Sequence, residues 1–152
     1  MLIWIDADAA PREVKEVVFR TSLRLSIPTR LVANSRIEVP AAFSEWVTAI
    51  VVPQGANVAD RYIEEHAQAG DLVVTADIPL ADALVGLGVI VIDPRGEVYD
   101  EGNIKSRLAA RDFFESVRAA GQPTPGAPPY SARDKKAFAD SLDRSLKGLK
   151  TR

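Results

Sequence analysis

Cysteine is missing from the 152 residues, and there is one histidine, His66. The first absence excludes disulfides, thiolate metal sites and thiol catalysis; the second excludes a His-rich zinc site or a catalytic His pair. No apolar run approaches the roughly 18 residues needed to cross a bilayer. The chain opens Met1-Leu2-Ile3-Trp4-Ile5-Asp6, with neither a basic n-region nor a small-residue cleavage site, so a cytoplasmic protein without a signal peptide or membrane association is expected. Glycine loops of the phosphate-binding kind are also absent; Gly55 and Gly96 read as backbone punctuation. Hard-metal chemistry through carboxylates survives these eliminations.

What is present is the balance of a folded domain: 47% hydrophobic and 26% charged residues, in a length suited to one core. The formal charge of −2 hides an asymmetry. Met1 to Ala132 holds 12 basic and 18 acidic residues, whereas Arg133 to Arg152 holds 7 basic and 3 acidic. An acidic body with a basic tail suits a polyanion held beside a metal site, and equally suits an ordinary solvated helix.

Periodicity alternates between strand and helix. Leu2-Ile3-Trp4-Ile5 is a short buried strand ending at Asp6. Pro11 opens a helix in which Val14, Val17, Val18, Thr21 and Leu25 recur at helical spacing. Strands are expected at residues 29–32, 49–52, 72–75 and 89–92, with Val98-Tyr99 as a small edge strand. Asn57 and Asn103 are plausible caps of helices carrying Ile63 and Ile104, and Pro79 opens another. Such alternation implies βαβ units around a central, mainly parallel five-stranded sheet flanked by helices. The expected organisation is an α/β domain over residues 1–120, a Pro/Gly-rich linker over 121–130, and a basic helix over 131–152 packing on the same domain. Ser131 caps that helix, with Phe138, Leu142, Leu146 and Leu149 as one stripe.

Ligands of an open parallel sheet bind outside the carboxyl ends of its strands. Asp6 and Asp8 follow the first strand and Asp77 the fourth; Asp82 lies just beyond, and Asp60 falls in the first turn of the helix after the third. Five acids thus converge on one edge. At an effective dielectric near 20, two such charges about 4 Å apart repel by about 4 kcal/mol, which a bound Mg²⁺ or Mn²⁺ would offset. Taken singly, each acid also fits a structural role: Asp8 as cap of the helix after Pro11, Asp60 as a partner of a helix dipole. Trp4 and Trp46 read as core, His66 as a surface helix residue, and Asn34 as a turn residue or a ligand contact at the same edge.

The segments Asp6-Ala7-Asp8-Ala9-Ala10-Pro11, Gly55-Ala56-Asn57-Val58-Ala59-Asp60 and Thr75-Ala76-Asp77-Ile78-Pro79-Leu80-Ala81, with Pro94-Arg95-Gly96, Arg111-Asp112-Phe113 and Tyr130-Ser131-Ala132-Arg133-Asp134, resemble the YaiI/YqxD family of bacterial proteins. The likeness runs from Ile3 to about Leu146. Its members are similar in fold to PIN-domain ribonucleases, so the resemblance implies a three-layer PIN-like domain. It also implies Mg²⁺ or Mn²⁺ ligation by Asp6, Asp60 and Asp77, with Asp82 as a fourth acid and Asp8 an addition. The sequence departs from the family pattern at Ala10, usually Cys, and at Asn57, often Asp.

The resulting expectation is a metal-dependent nuclease acting on RNA, with Asp6, Asp8, Asp60, Asp77 and Asp82 as catalytic acids. Arg12, Lys15, Asn34 and Arg95 near the edge, and Arg133, Lys135 and Lys136 in the tail, would contact the nucleic acid. The alternatives are a non-catalytic RNA-binding or regulatory protein of the same shape and, less favoured, a small-molecule phosphatase using Asp6 as nucleophile. A homo-oligomer is compatible with the sequence, and no protein partner is specified by it.

Overall fold

The computed structural model describes residues 1–150, with side chains described through Lys147; Leu149 of the expected stripe lies outside the described side chains. Six strands form one sheet in the order β3-β2-β1-β4-β5-β6. They are β1 (Ile3–Asp6), β2 (Thr29–Ala33), β3 (Val47–Val51), β4 (Leu72–Val74), β5 (Ile90–Ile92) and β6 (Val98–Tyr99). The first five pair in parallel, and β6 returns antiparallel along β5. The expected five-stranded sheet is therefore six-stranded, because the Asp93–Gly96 turn carries Val98-Tyr99 back as a paired edge.

The helices are α1 (Arg12–Leu25), α2 (Val58–His66), α3 (Ile78–Gly86), α4 (Ile104–Ala119) and α5 (Ala132–Lys150). Strand side chains alternate between faces, so each strand feeds two cores. Ile3, Ile5, Leu31 and Val74 pack with Val14 and Val18 of α1 and with Phe138, Leu142 and Leu146 of α5. Trp4, Val32, Val73 and Val91 pack on the other face with Ile63 of α2, Leu80 and Leu84 of α3, and Ile104 of α4. The result is a three-layer α/β domain. Among the described residues, no helix is long and apolar enough to cross a membrane.

Trp4 is fully buried as expected, and its indole Nε1 donates to Asp71, which also accepts from the backbone N–H groups of Leu2 and Gln68. Trp46 is only half-buried. The expected asparagine caps differ from the structure. Asn57 sits in the left-handed region and its side chain caps nothing, while Asn103 uses its amide to close the loop after β6, accepting from Asp100 N and donating to Val98 O. Ser131 does cap α5, in reciprocal bonds with Asp134.

Candidate functional site

The strand order reverses direction between β1 and β4: β2 and β3 lie on one side of β1, β4 and β5 on the other. At such a switch point the two following loops diverge and leave a crevice at the carboxyl edge. Asp6 is the last residue of β1, and Asp77 follows β4 by three residues. Both therefore reach the crevice. α2 enters it from the β3 side and brings Asp60 in its first turn.

Asp6 is buried, and Thr75 Oγ1 donates to its Oδ2 at 3.0 Å. The same hydroxyl accepts from Asp77 N at 3.0 Å, so Thr75 ties the two acidic segments together. Asp77 in turn caps α3, its Oδ1 accepting from Leu80 N at 2.8 Å. Asp60 is half-buried and stands close enough to Asp77 for their carboxyls to share a hydrogen bond. Burial pushes the Asp60 carboxyl up to about 7, helped by that bond and by the charges of Asp77 and Asp6. Asp6 is also raised, mainly by burial, against the lowering effect of Thr75.

The other expected acids lie elsewhere. Asp8 is exposed and binds Asn34 N at 2.8 Å, so it pins the β1–α1 loop to the end of β2 rather than capping α1. That bond also accounts for Asn34 through its backbone, leaving its side chain exposed. Asp82 points to α4, where Lys105 Nζ reaches it at 2.7 Å. It lies on the turn of α3 that packs against α4, so the expected convergence of five acids reduces to Asp6, Asp60 and Asp77, with Asp8 at the rim. Among the described residues, no three acidic or histidine side chains form a ready-made metal cage.

The basic residues divide similarly. Arg95 is committed to structure: it pairs with Asp134 at 2.9 Å, donates to Pro128 O and lies over the Tyr130 ring. Arg12 is exposed beside Glu16, Lys15 is half-buried on the next turn face of α1, and Lys136 pairs with Asp140. Arg133 is exposed and Lys135 half-buried in the first turn of α5. Tyr130, just before α5, hydrogen-bonds Pro94 O, which brings the start of the basic tail to the β5 end of the same edge.

One further contributor carries a signal in the sequence: Thr75 is a polar residue at the end of an otherwise apolar strand. Asp93 follows β5 as Asp6 and Asp77 follow theirs, within a segment of turn chemistry, Asp93-Pro94-Arg95-Gly96. Asp93 is raised, chiefly by burial, and accepts from Arg95 N and Glu97 N at 2.9 Å, which makes it a turn residue. Arg61 and Arg111 line a cavity of about 260 Å³ with Asp60 and Asp77; Arg61 had no local signal, and Arg111 stood out only within the Arg111-Asp112-Phe113 likeness. Thr75→Val should remove two hydrogen bonds, one buried and one partly buried, lowering stability by about 1–3 kcal/mol and raising the Asp6 carboxyl further. A urea melt and a carboxyl NMR titration check both effects.

The family described as "Uncharacterized BCR, YaiI/YqxD family" matches residues 4–148. A UPF0178 protein of Geobacter metallireducens is 50% identical over 149 residues, covering 98% of this chain and 95% of its own. One from Trichlorobacter lovleyi is 49% identical and one from Syntrophobacter fumaroxidans 47%, each covering 96% of this chain and 94% of its own. A match spanning nearly the whole chain, both cores and the carboxylate crevice included, places this protein in the YaiI/YqxD family.

Proposed function

We propose that the protein is a PIN-like hydrolase that cleaves RNA phosphodiesters with the help of Mg²⁺ or Mn²⁺ at the β1–β4 crevice. The observation that carries this reading is that Asp60 and Asp77 line one cavity in front of buried Asp6, an all-oxygen set in which burial, helped by the neighbouring acids, raises Asp60 to about 7. Such a donor set fits a hard divalent cation, which stabilises the charge developing on a phosphate when bound.

In this reading Asp60 and Asp77 hold the cation at the crevice mouth and Asp6 supports them from behind. Thr75 fixes Asp6 and the Asp77 backbone together, so the two acidic segments keep their spacing. Loading requires Asp60 to lose its proton, so metal uptake should rise as pH climbs through about 7. Asp8, Arg12 and Lys15 lie where a bound strand would leave the crevice over the start of α1, with the α5 tail further along the edge.

The test is calorimetric titration of Mn²⁺ into the wild type and into Asp6→Asn/Asp77→Asn, followed by an RNA cleavage assay. The expected result is uptake by the wild type that the double variant loses, with RNA cleavage falling by at least about 100-fold in step with it. A wild type that takes up no Mn²⁺ with or without RNA would sink the proposal. The non-catalytic alternative predicts RNA binding that survives Asp6→Asn and vanishes when Arg133, Lys135 and Lys136 become Gln.

A further inference from the structure

The carboxylates make up one wall of the 260 Å³ cavity; the remainder is lined by Asn57, Arg61, Glu64 and Arg111, with Pro79 and Leu80. Arg61 follows Asp60 on α2, and Arg111 comes from the middle of α4. Neither arginine is used by the acidic cluster. Arg111 pairs with Asp112 at 3.0 Å and with Glu115 at 2.8 Å, both on its own helix. The Arg61 guanidinium bonds to the carbonyl of Asn57 at 3.4 Å.

Two guanidiniums and three carboxylates, those of Asp60, Glu64 and Asp77, thus share a cavity without pairing with one another among the described residues. If the arginines were there to neutralise the acids of the cavity, they would pair with Asp60, Glu64 or Asp77, and among the described residues they do not. The gap suits a ligand that carries both counter-charges, anionic oxygens towards the arginines and a cation towards the acids. A phosphodiester with its metal has that composition. Building on the hydrolase reading above, we propose that Arg61 and Arg111 form a clamp that seats one phosphate of a single-stranded RNA opposite Asp60 and Asp77.

The energetics favour the exchange. The contacts of Arg111 to Asp112 and Glu115 are partly exposed local pairs, each worth about 0–1 kcal/mol. A bidentate guanidinium–phosphate pair is stronger and geometrically better matched. Arg61 also borders a second cavity of about 370 Å³, where Val52, Pro53, Val58 and Tyr62 offer a mostly apolar wall. That wall would receive the nucleoside next to the clamped phosphate. Tyr62 is held in place there by stacking on His66, with ring centroids 4.0 Å apart. Splayed bases of a single strand can enter such a cavity, whereas the stacked bases of a duplex cannot.

Fluorescence anisotropy of a short fluorescein-labelled single-stranded RNA, in Ca²⁺ and over a salt series, tests the clamp. Arg61→Gln/Arg111→Gln should weaken binding at least about 10-fold and reduce the salt slope by about 1.4, the value for two lost phosphate contacts on a single strand. Arg20→Gln/Arg24→Gln, an equal loss of charge in the far half of α1, should leave both unchanged. Arg111→Lys should keep the salt slope while losing part of the affinity, because the charge stays and the fork does not. A double variant that binds RNA as the wild type does, or a wild type that binds none, overturns the clamp. Calorimetry with Mn²⁺ on the same double variant should match the wild type. If Mn²⁺ uptake is absent throughout while RNA binding still needs both arginines, the clamp stands and the metal-dependent hydrolase falls.

Discussion

Asp60→Asn is expected to make the metal-free protein more stable at pH 8, to flatten its stability between pH 4 and 7, and to abolish its response to Mn²⁺. The sign follows from linkage. Unfolded, Asp60 titrates near its ordinary 3.8; folded, burial and the neighbouring Asp77 and Asp6 push it up to about 7. Between those values the folded state holds a proton that the unfolded state has lost. The stabilising effect is therefore complete below pH 4 and disappears as pH rises through 7. A shift of this size would be worth about 4 kcal/mol for a fully buried group, and solvent screening of a half-buried one brings it to about 1–2 kcal/mol. Asparagine has no proton to lose, so urea melts of the variant should show that slope removed. Wild-type protein above pH 7 should regain stability on adding Mn²⁺, by about 2.7 kcal/mol at a hundredfold excess over Kd, and the variant should not. A variant with the wild-type pH slope would mean that Asp60 is not the group strained by the cluster.

Gly96→Ala is expected to cost about 2–4 kcal/mol and to loosen α5 from the domain. Gly96 closes the turn between β5 and β6 at φ +93, where an L side chain is strained by about 1–2 kcal/mol. The added Cβ would also fall 2.6 Å from the backbone carbon and oxygen of Ala137 and 2.9 Å from Phe138 N. Helix backbone cannot rotate away as a side chain can, so α5 must shift, with overpacking costs of about 1–3 kcal/mol. The shift would disturb the Ser141 hydroxyl bond to Gly96 O and lift Phe138 and Leu142 from the first core. For a chain of this length the melting temperature should fall by roughly 5–15 °C. Proteolysis in the Gly121–Pro129 segment, which has no helix or strand, should speed up as α5 releases. Gly121→Ala is the comparison: its φ is +82 but nothing lies within 4 Å of the new Cβ, so only the backbone strain remains. Equal losses from the two variants would refute the docking role of the turn.

Most of the fold was legible because its elements are bounded by local chemistry. The apolar runs at 3–5, 72–74 and 90–92 end at turn residues, and the 3.6-residue spacing of Val14, Val18 and Thr21 needs no partner to be recognised. The caps were less legible, since Asn57 and Asn103 have several hydrogen-bonding options and the loop around each selects among them. At the site, Asp6 and Asp77 could be paired in advance because both end parallel strands. Asp82 was expected beside them, but five residues along α3 its side chain is turned to Lys105 of α4.

Residue order and periodicity thus carried the α/β class, the strand and helix inventory, and the acids at the strand ends, all of which depend on neighbours within a turn or two. Strand order, the switch point between β1 and β4, the Thr75 bridge and the meeting of Arg61 with Arg111 depend on contacts across tens of residues. Those contacts are set by how two apolar faces of one sheet bury against helices from opposite ends of the chain. No local pattern encodes which charged groups such packing leaves facing each other.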